Sequence, residues 1–173
     1  MLQVAKLQNR ELLEGSQEQP NSISRRSYGN YNLVEMKTKD HWNLSDEEFE
    51  SQFETYKLKP GMFSHEAHIR LAYIHINKYG SDRAEINMCD QIKGFAESLG
   101  DVHKFNKTVT IAAVKTVNHF MKKSTSGDFR GFLAEFPRLF TDFKGLLGQH
   151  YGYNVFADKR AKEQYQEPDL LPF

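Results

Sequence analysis

The chain has 173 residues, 39% of them hydrophobic and 27% charged, and its 23 basic side chains balance 23 acidic ones. That length holds one domain with a single substantial core. The balanced charge, with neither a basic stripe nor a nucleic-acid motif, excludes DNA and RNA as expected partners.

A single cysteine, Cys89, forbids an internal disulfide and any CxxC zinc or redox motif. In "INMCDQIKGFA" it falls at helical spacing with Ile92 and Ala96 and reads as a buried structural thiol. No apolar run reaches the length of a membrane span. The start, "MLQVAKLQNRELLEGSQEQP", lacks the basic-then-apolar order of a secretory signal. A soluble cytoplasmic protein in a reducing compartment is the expectation.

Residues 1–40 differ from the rest. "EGSQEQPNSISRRSYGNYN" is rich in Ser, Asn, Gln and Gly and has little to bury, which predicts a flexible or loosely attached segment. A short helix through Val4, Leu7 and Leu12 is the most structure it promises. The domain is expected to span 41–173.

Within that domain helix follows helix. "LSDEEFESQFETY" opens on Ser45 with Glu48 three residues on, a capping-box pattern, and Phe49, Phe53 and Tyr56 then repeat at helical spacing. Pro60 and Gly61 break it. "FSHEAHIRLAYIHINKYG" predicts a second helix ending at Gly80, and a third runs from Asp82 to Leu99 with Met88, Ile92, Phe95, Ala96 and Leu99 on one face. Gly100 is its stop. A fourth helix carries Phe105, Val109, Ala112, Ala113, Thr116 and Phe120 on one side.

"FRGFLAEFPRLF" predicts a shorter helix or a pair broken at Pro137. "FKGLLGQHYGYN" ends a helix and starts an irregular return, and "DKRAKEQYQ" is a last short helix. "EPDLLPF" is an extended tail expected to pack back through Leu170, Leu171 and Phe173. No alternating strand pattern appears. The fold class is therefore all-α: a single-domain bundle of about five to seven helices, with two long antiparallel helix pairs at its heart.

The second helix also carries the chemistry. At ~100° per residue His65 and His68 lie roughly 60° apart on the core-facing stripe, beside Ile69, Ala72 and Ile76. Glu66, Arg70 and Asn77 fall on the opposite flank. His75 sits roughly 10 Å along the axis from His68, too far to share an ion with it. "HEAH" matches neither the zincin HExxH nor the ExxH of di-iron bundles. A metal is thus an alternative only, with His65 and His68 as ligands and a third donor drawn from His103, His119, His150 or a carboxylate. The motifs call for no cofactor.

Two imidazoles on one apolar face point either to core-edge packing or to a pocket in which His65 and His68 act as acid and base. "HKFNKTVT" opens the fourth helix, and Asn106 or Thr108 suits its N-cap. If that end faces the histidines, Lys104, Asn106, Thr108 and Thr110 are positioned to hold a polar group of a ligand. His119 adds to the polar patch on the same helix, and Tyr151 in "GQHYGY" is a candidate pocket wall, the alternative there being a Gly-rich turn with packed tyrosines.

Three motifs in order, "FSHEAHIRLAY", "HKFNKTVT" and "EPDLLPF", resemble a family of small uncharacterised all-α bacterial proteins. Its pattern is F-x-H-x-x-H-L-R-x-A-W, then K-Y-H-x-T-x-T, then a closing P-D-L-x-P. The resemblance covers Leu44 to Phe173. It implies that Phe63, His65, His68 and Arg70 form the first motif, Lys104, Phe105, Thr108 and Thr110 the second, and Pro168, Asp169 and Leu170 the third. Arg70 joins the candidate ligand-binding residues on that ground. Asn106 stands where the family pattern has a third histidine, and Asn is a poor ligand for zinc or iron.

Two functional readings follow. One is a small enzyme acting on a small polar organic molecule by histidine acid–base chemistry. The other is a non-catalytic helical module that binds a ligand or another protein. The enzyme reading predicts a concave cavity with the "HKFNKT" segment opposite the histidines. The binding-module reading predicts them packed solid, with an exposed apolar patch elsewhere.

Overall fold

The computed structural model describes residues 40–173, so the expected N-terminal segment and its short helix lie outside the described residues. Among the described residues there are eight α-helices and no strand. They are α1 (Asp46–Glu54), α2 (His65–Tyr79), α3 (Ser81–Ser98), α4 (Lys107–Met121), α5 (Phe129–Glu135), α6 (Arg138–Thr141), α7 (Phe143–Leu147) and α8 (Lys159–Glu163). Single 3-10 turns occur at His41–Asn43, Pro60–Met62 and Val102–Lys104. No described helix is long and apolar enough to cross a membrane.

Local chemistry sets most of these boundaries. The Ser45 hydroxyl accepts from the Glu48 amide (3.1 Å) while Glu48 accepts from the Ser45 amide (2.9 Å), a complete capping box. Ser64 and Asn106 cap α2 and α4 through their side chains. Gly80 ends α2 at φ 79° and Gly100 follows α3 at φ 74°, both in the left-handed region where a Cβ is costly. Pro137 separates α5 from α6 as expected.

The heart of the molecule is a three-helix core. α2, α3 and α4 pack mutually, and α1 lies against α2 and α3, in place of two separate antiparallel pairs. The larger apolar cluster joins Phe49 and Phe53 of α1 to Leu71, Met88, Val114, Val117, Phe132 and Leu139. A smaller one gathers Ala112, Phe143, Leu147, Tyr151, Val155 and Ala161.

α2 is buried on more than one side. Every position from Ile69 to Ile76 is buried, including Arg70, which the helical wheel places on the outer flank. The physical reason is α1 and the turn before it, which cover that flank. Arg70 Nε and Nη2 donate to Asp46 Oδ1 (2.9 and 2.6 Å), Nη2 to the Leu44 carbonyl (2.9 Å) and Nη1 to the His41 carbonyl. Its guanidinium also lies over the rings of Trp42 and Phe49.

The C-terminal tail does pack back, with Phe173 against the smaller cluster as expected but without Leu170 and Leu171. Leu170 and Leu171 stay more than half exposed. The ties are polar: Leu170 N–H donates to the His150 carbonyl (3.0 Å), His150 Nδ1–H to the Leu171 carbonyl (2.7 Å) and Gly152 N–H to Asp169 (2.8 Å). The Phe173 ring stacks on His150 with centroids 4.0 Å apart. Truncation after Glu167 removes all of these and is expected to lower the melting temperature by about 3–6 °C. A calorimetric transition unchanged by the truncation would show the tail to be energetically idle.

Candidate functional site

The two apolar clusters meet along a seam, and a cavity of about 310 Å³ opens there. Its walls come from the start of α2 (His65, His68, Ile69), the middle of α3 (Met88, Ile92), and the first turns of α4 (Val109, Thr110, Ala113). Phe143 of α7 and Phe156 complete the apolar lining, and Lys104, Phe105 and Asn106 stand beside them. The two candidate histidines therefore share one concavity with the "HKFNKT" segment. The volume matches the lower end of small-molecule pockets.

The hydrogen bonds fix both imidazole tautomers. A carbonyl only accepts, so the nitrogen that contacts it must carry the proton. His68 Nδ1–H donates to the Ser64 carbonyl at 2.7 Å, which leaves Nε2 as the lone-pair nitrogen. Its ring stacks on Phe63 with centroids 3.7 Å apart, so χ2 is held as well. Among the described residues Nε2 has no hydrogen-bond partner, and it is not sealed from solvent.

His65 is arranged the other way round. Its Nε2–H donates to the Leu139 carbonyl of α6 (3.0 Å), leaving Nδ1 free. Burial, with a smaller contribution from the positive charge that His65 carries when protonated, depresses the His68 pKa to about 4, against a partial offset from the Ser64 carbonyl. His68 is a neutral acceptor at any ordinary pH. Removing its Nδ1 partner is not possible by side-chain substitution, which makes the tautomer a property of the α2 N-terminus itself.

The other candidates divide sharply. Thr110 lines the cavity but spends its hydroxyl proton on the Asn106 carbonyl (2.9 Å). Asn106 is an N-cap first: Oδ1 accepts from the Val109 amide (3.0 Å) and Nδ2–H donates to the Val155 carbonyl (2.9 Å). Lys104 stands at the rim with its ammonium on Asp101.

Arg70, Thr108, His119 and Tyr151 lie outside the cavity. Arg70 is the clamp described above. Thr108 is fully buried, donating to the Gln164 carbonyl (3.0 Å) and accepting from the Gln166 amide (3.0 Å). His119 is exposed near the end of α4, beside Phe120. Tyr151 is buried in the smaller cluster, its hydroxyl on the Gln166 carbonyl (3.1 Å), and burial pushes its pKa up to about 12.

Cys89 is only half-buried, at the edge of a different groove, and desolvation pushes its thiol up to about 11. Among the described residues no three His, Cys, Asp or Glu side chains converge to hold a metal ion. A metal at the histidine pair would need its remaining ligands from substrate or solvent.

Comparison with known proteins returns no matching family model, no similar curated protein and no similar solved structure. The resemblance to the bacterial family thus rests on its three motifs alone.

Sequence reasoning missed two features. The apolar lining residues Phe143 and Phe156 come from segments that read as loops or short helices, and only their aromatic character marked them. A buried polar cluster was also unforeseen: Glu50 accepts from Lys78 Nζ (2.8 Å) and Tyr79 Oη (2.9 Å), with fully buried His75 Nε2 3.9 Å away. Burial lowers the His75 pKa more strongly than Glu50 raises it. The neutral ring is the consistent state, since its Nδ1 faces the Asn87 amide.

Proposed function

We propose that this protein binds a small, largely apolar organic molecule in the seam cavity, with His68 Nε2 accepting a hydrogen bond from a hydroxyl or N–H group of the ligand. The observation that carries the reading is the locked His68 tautomer: a neutral acceptor with no partner among the described residues, stacked in place, in a mostly apolar hollow. Such a site rewards a matched donor and penalises a ligand that leaves the nitrogen dry and unpaired.

Acid–base catalysis is the second reading. It is favoured by the two histidines offering free nitrogens of opposite identity, Nδ1 of His65 and Nε2 of His68, on one cavity. With a pKa of about 4 His68 is a weak base that stays unprotonated at neutral pH, and His65 is the more solvent-exposed of the two. A cytoplasmic setting and membership of the three-motif bacterial family belong to the same proposal. They are supported by the lone half-buried thiol and by the motif residues His65, His68, Lys104 and Phe105 meeting at one cavity.

The test uses matched probes. Phenols titrated by NMR are expected to bind about five- to tenfold more tightly than their methyl ethers, and His68→Phe is expected to abolish that preference. Equal affinity of phenol and ether for the wild-type chain would sink the donor–acceptor reading.

A further inference from the structure

A second concavity is larger than the histidine pocket. A groove of about 630 Å³ runs between α3, the Val102–Lys104 turn, the start of α4 and α8. Lys93, Lys107, Lys159 and Lys162 line it together with His103, against two carboxylates, Asp90 and Glu163. In a chain whose net charge is zero, four ammonium groups facing two carboxylates make a local positive excess.

Those ammonium groups are poorly compensated. Elsewhere lysines find carboxylates at short range, as in Lys78–Glu50 (2.8 Å) and Lys115–Glu85 (3.1 Å). In the groove Lys93 is 3.9 Å from Glu97, an exposed and weak contact. Lys162 Nζ donates to the His103 carbonyl (3.1 Å), a dipole with no net charge. Lys107 and Lys159 have no carboxylate within ion-pair distance among the described residues.

Concavity strengthens the effect, because low-dielectric walls focus the field of charges around a cleft. The remaining lining, Val102, Phe105 and the un-ionised Cys89 thiol, adds no negative charge to that of Asp90 and Glu163. A single carboxylate would be satisfied by one ammonium. Several converging lysines around a roomy groove suit a multiply charged anion, for which lysine serves as a point-charge partner.

We propose that this groove is an anion site that takes a soluble phosphate ester or polyphosphate, with Lys107 and Lys159 as its principal charged contacts. It does not depend on what the histidine cavity binds, although Phe105 lines both.

Isothermal titration of the full chain with inorganic pyrophosphate, at low salt, tests it. Saturable one-to-one binding is expected, weakening as salt is raised. A Lys107→Gln/Lys159→Gln variant is expected to bind about tenfold more weakly or worse. Neither ammonium makes an ion pair or hydrogen bond among the described residues, so the variant should keep its melting temperature. Lys122→Gln/Lys123→Gln, at the far end of α4, removes the same net charge and is expected to leave the affinity within about twofold.

Three results would overturn the proposal. One is no saturable binding up to about 10 mM pyrophosphate, whether or not the protein associates with phosphatidylserine vesicles. Another is an unchanged affinity in the Lys107/Lys159 variant. The last is an equal loss in the Lys122/Lys123 control, which would mean attraction to net charge with no site.

Discussion

Replacing Arg70 by methionine is expected to destabilise the bundle by about 2–4 kcal/mol, the larger of the single-site effects foreseen here. The methionine fills similar length but leaves the His41 and Leu44 carbonyl oxygens without their charged donor. The His41 carbonyl keeps the Leu44 N–H (3.2 Å), but the Leu44 carbonyl loses the arginine that satisfies it, and stranding such an acceptor costs about 1–3 kcal/mol. The stacking of the guanidinium between Trp42 and Phe49 is lost as well. Asp46 contributes less, because its side chain is nearly half exposed and regains water once the arginine is gone.

The control follows from that division. Asp46→Asn keeps both carbonyl contacts and should cost no more than about 1 kcal/mol. Urea unfolding at constant m separates the two variants. If Arg70→Met fell within about 1 kcal/mol of wild type, the clamp would not be what holds the His41–Leu44 turn to α2.

Acid is the second lever. His41 and His68 have pKa values depressed to about 4 in the folded protein, mainly by burial, and that of buried His75 is lowered in the same direction. His41 also receives the Arg70 guanidinium on Nδ1 (3.4 Å), so a proton there would face a fixed positive charge; Glu66 at 4.0 Å from Nε2 is too distant to reverse this.

The unfolded chain protonates these rings near 6.5, whereas the folded chain resists until about 4. Between those values the unfolded state binds more protons, so stability rises with pH. The contribution is complete above pH 6.5 and is lost as pH falls toward 4. For His41, which is almost wholly buried, the linked loss reaches about 3 kcal/mol at the bottom of that window. His68 adds less, because its ring borders the cavity.

Carboxylates with lowered values, such as Asp101 and Asp142, act only at lower pH and are solvent-exposed. Melting temperature should therefore fall as pH is lowered from 6.5 to 5, the window in which the depressed histidines resist protonation in the folded state. A flat profile over that span would mean the rings are protonated in the folded state. Histidine ¹⁵N shifts would then report the charged form of His41 well above pH 5.

Parts of this molecule are legible without coordinates because they depend on neighbours in the chain. Ser45 and Glu48 cap α1 through a three-residue reach, and Gly80 and Gly100 relieve a left-handed backbone at helix ends. His65 and His68 share a face because an α-helix advances by a known angle, and Asn106 caps α4 for the same local reason. These facts place the two histidines together at the start of α2.

What the wheel could not say is how many faces of a helix its surroundings cover. Arg70 looks like an outer-flank residue until α1 folds over it, and Leu99, on the apolar stripe of α3, ends 43% exposed because the partners of that helix do not reach so far. Leu170 and Leu171 stay in water while the tail they belong to is held by backbone groups.

The amino-acid sequence by itself thus determined the all-α class, the main helix boundaries and the pairing of two histidines on one stripe, all through interactions within about one turn of helix. The tertiary structure alone decided the His65 tautomer, since its acceptor is the Leu139 carbonyl, 74 residues away, whereas the Ser64 carbonyl sets that of His68 within one helical turn. It also decided the seam cavity and the lysine groove, which join α3, α4 and α8. Long-range packing places those groups together, and no local periodicity encodes which helix face meets which.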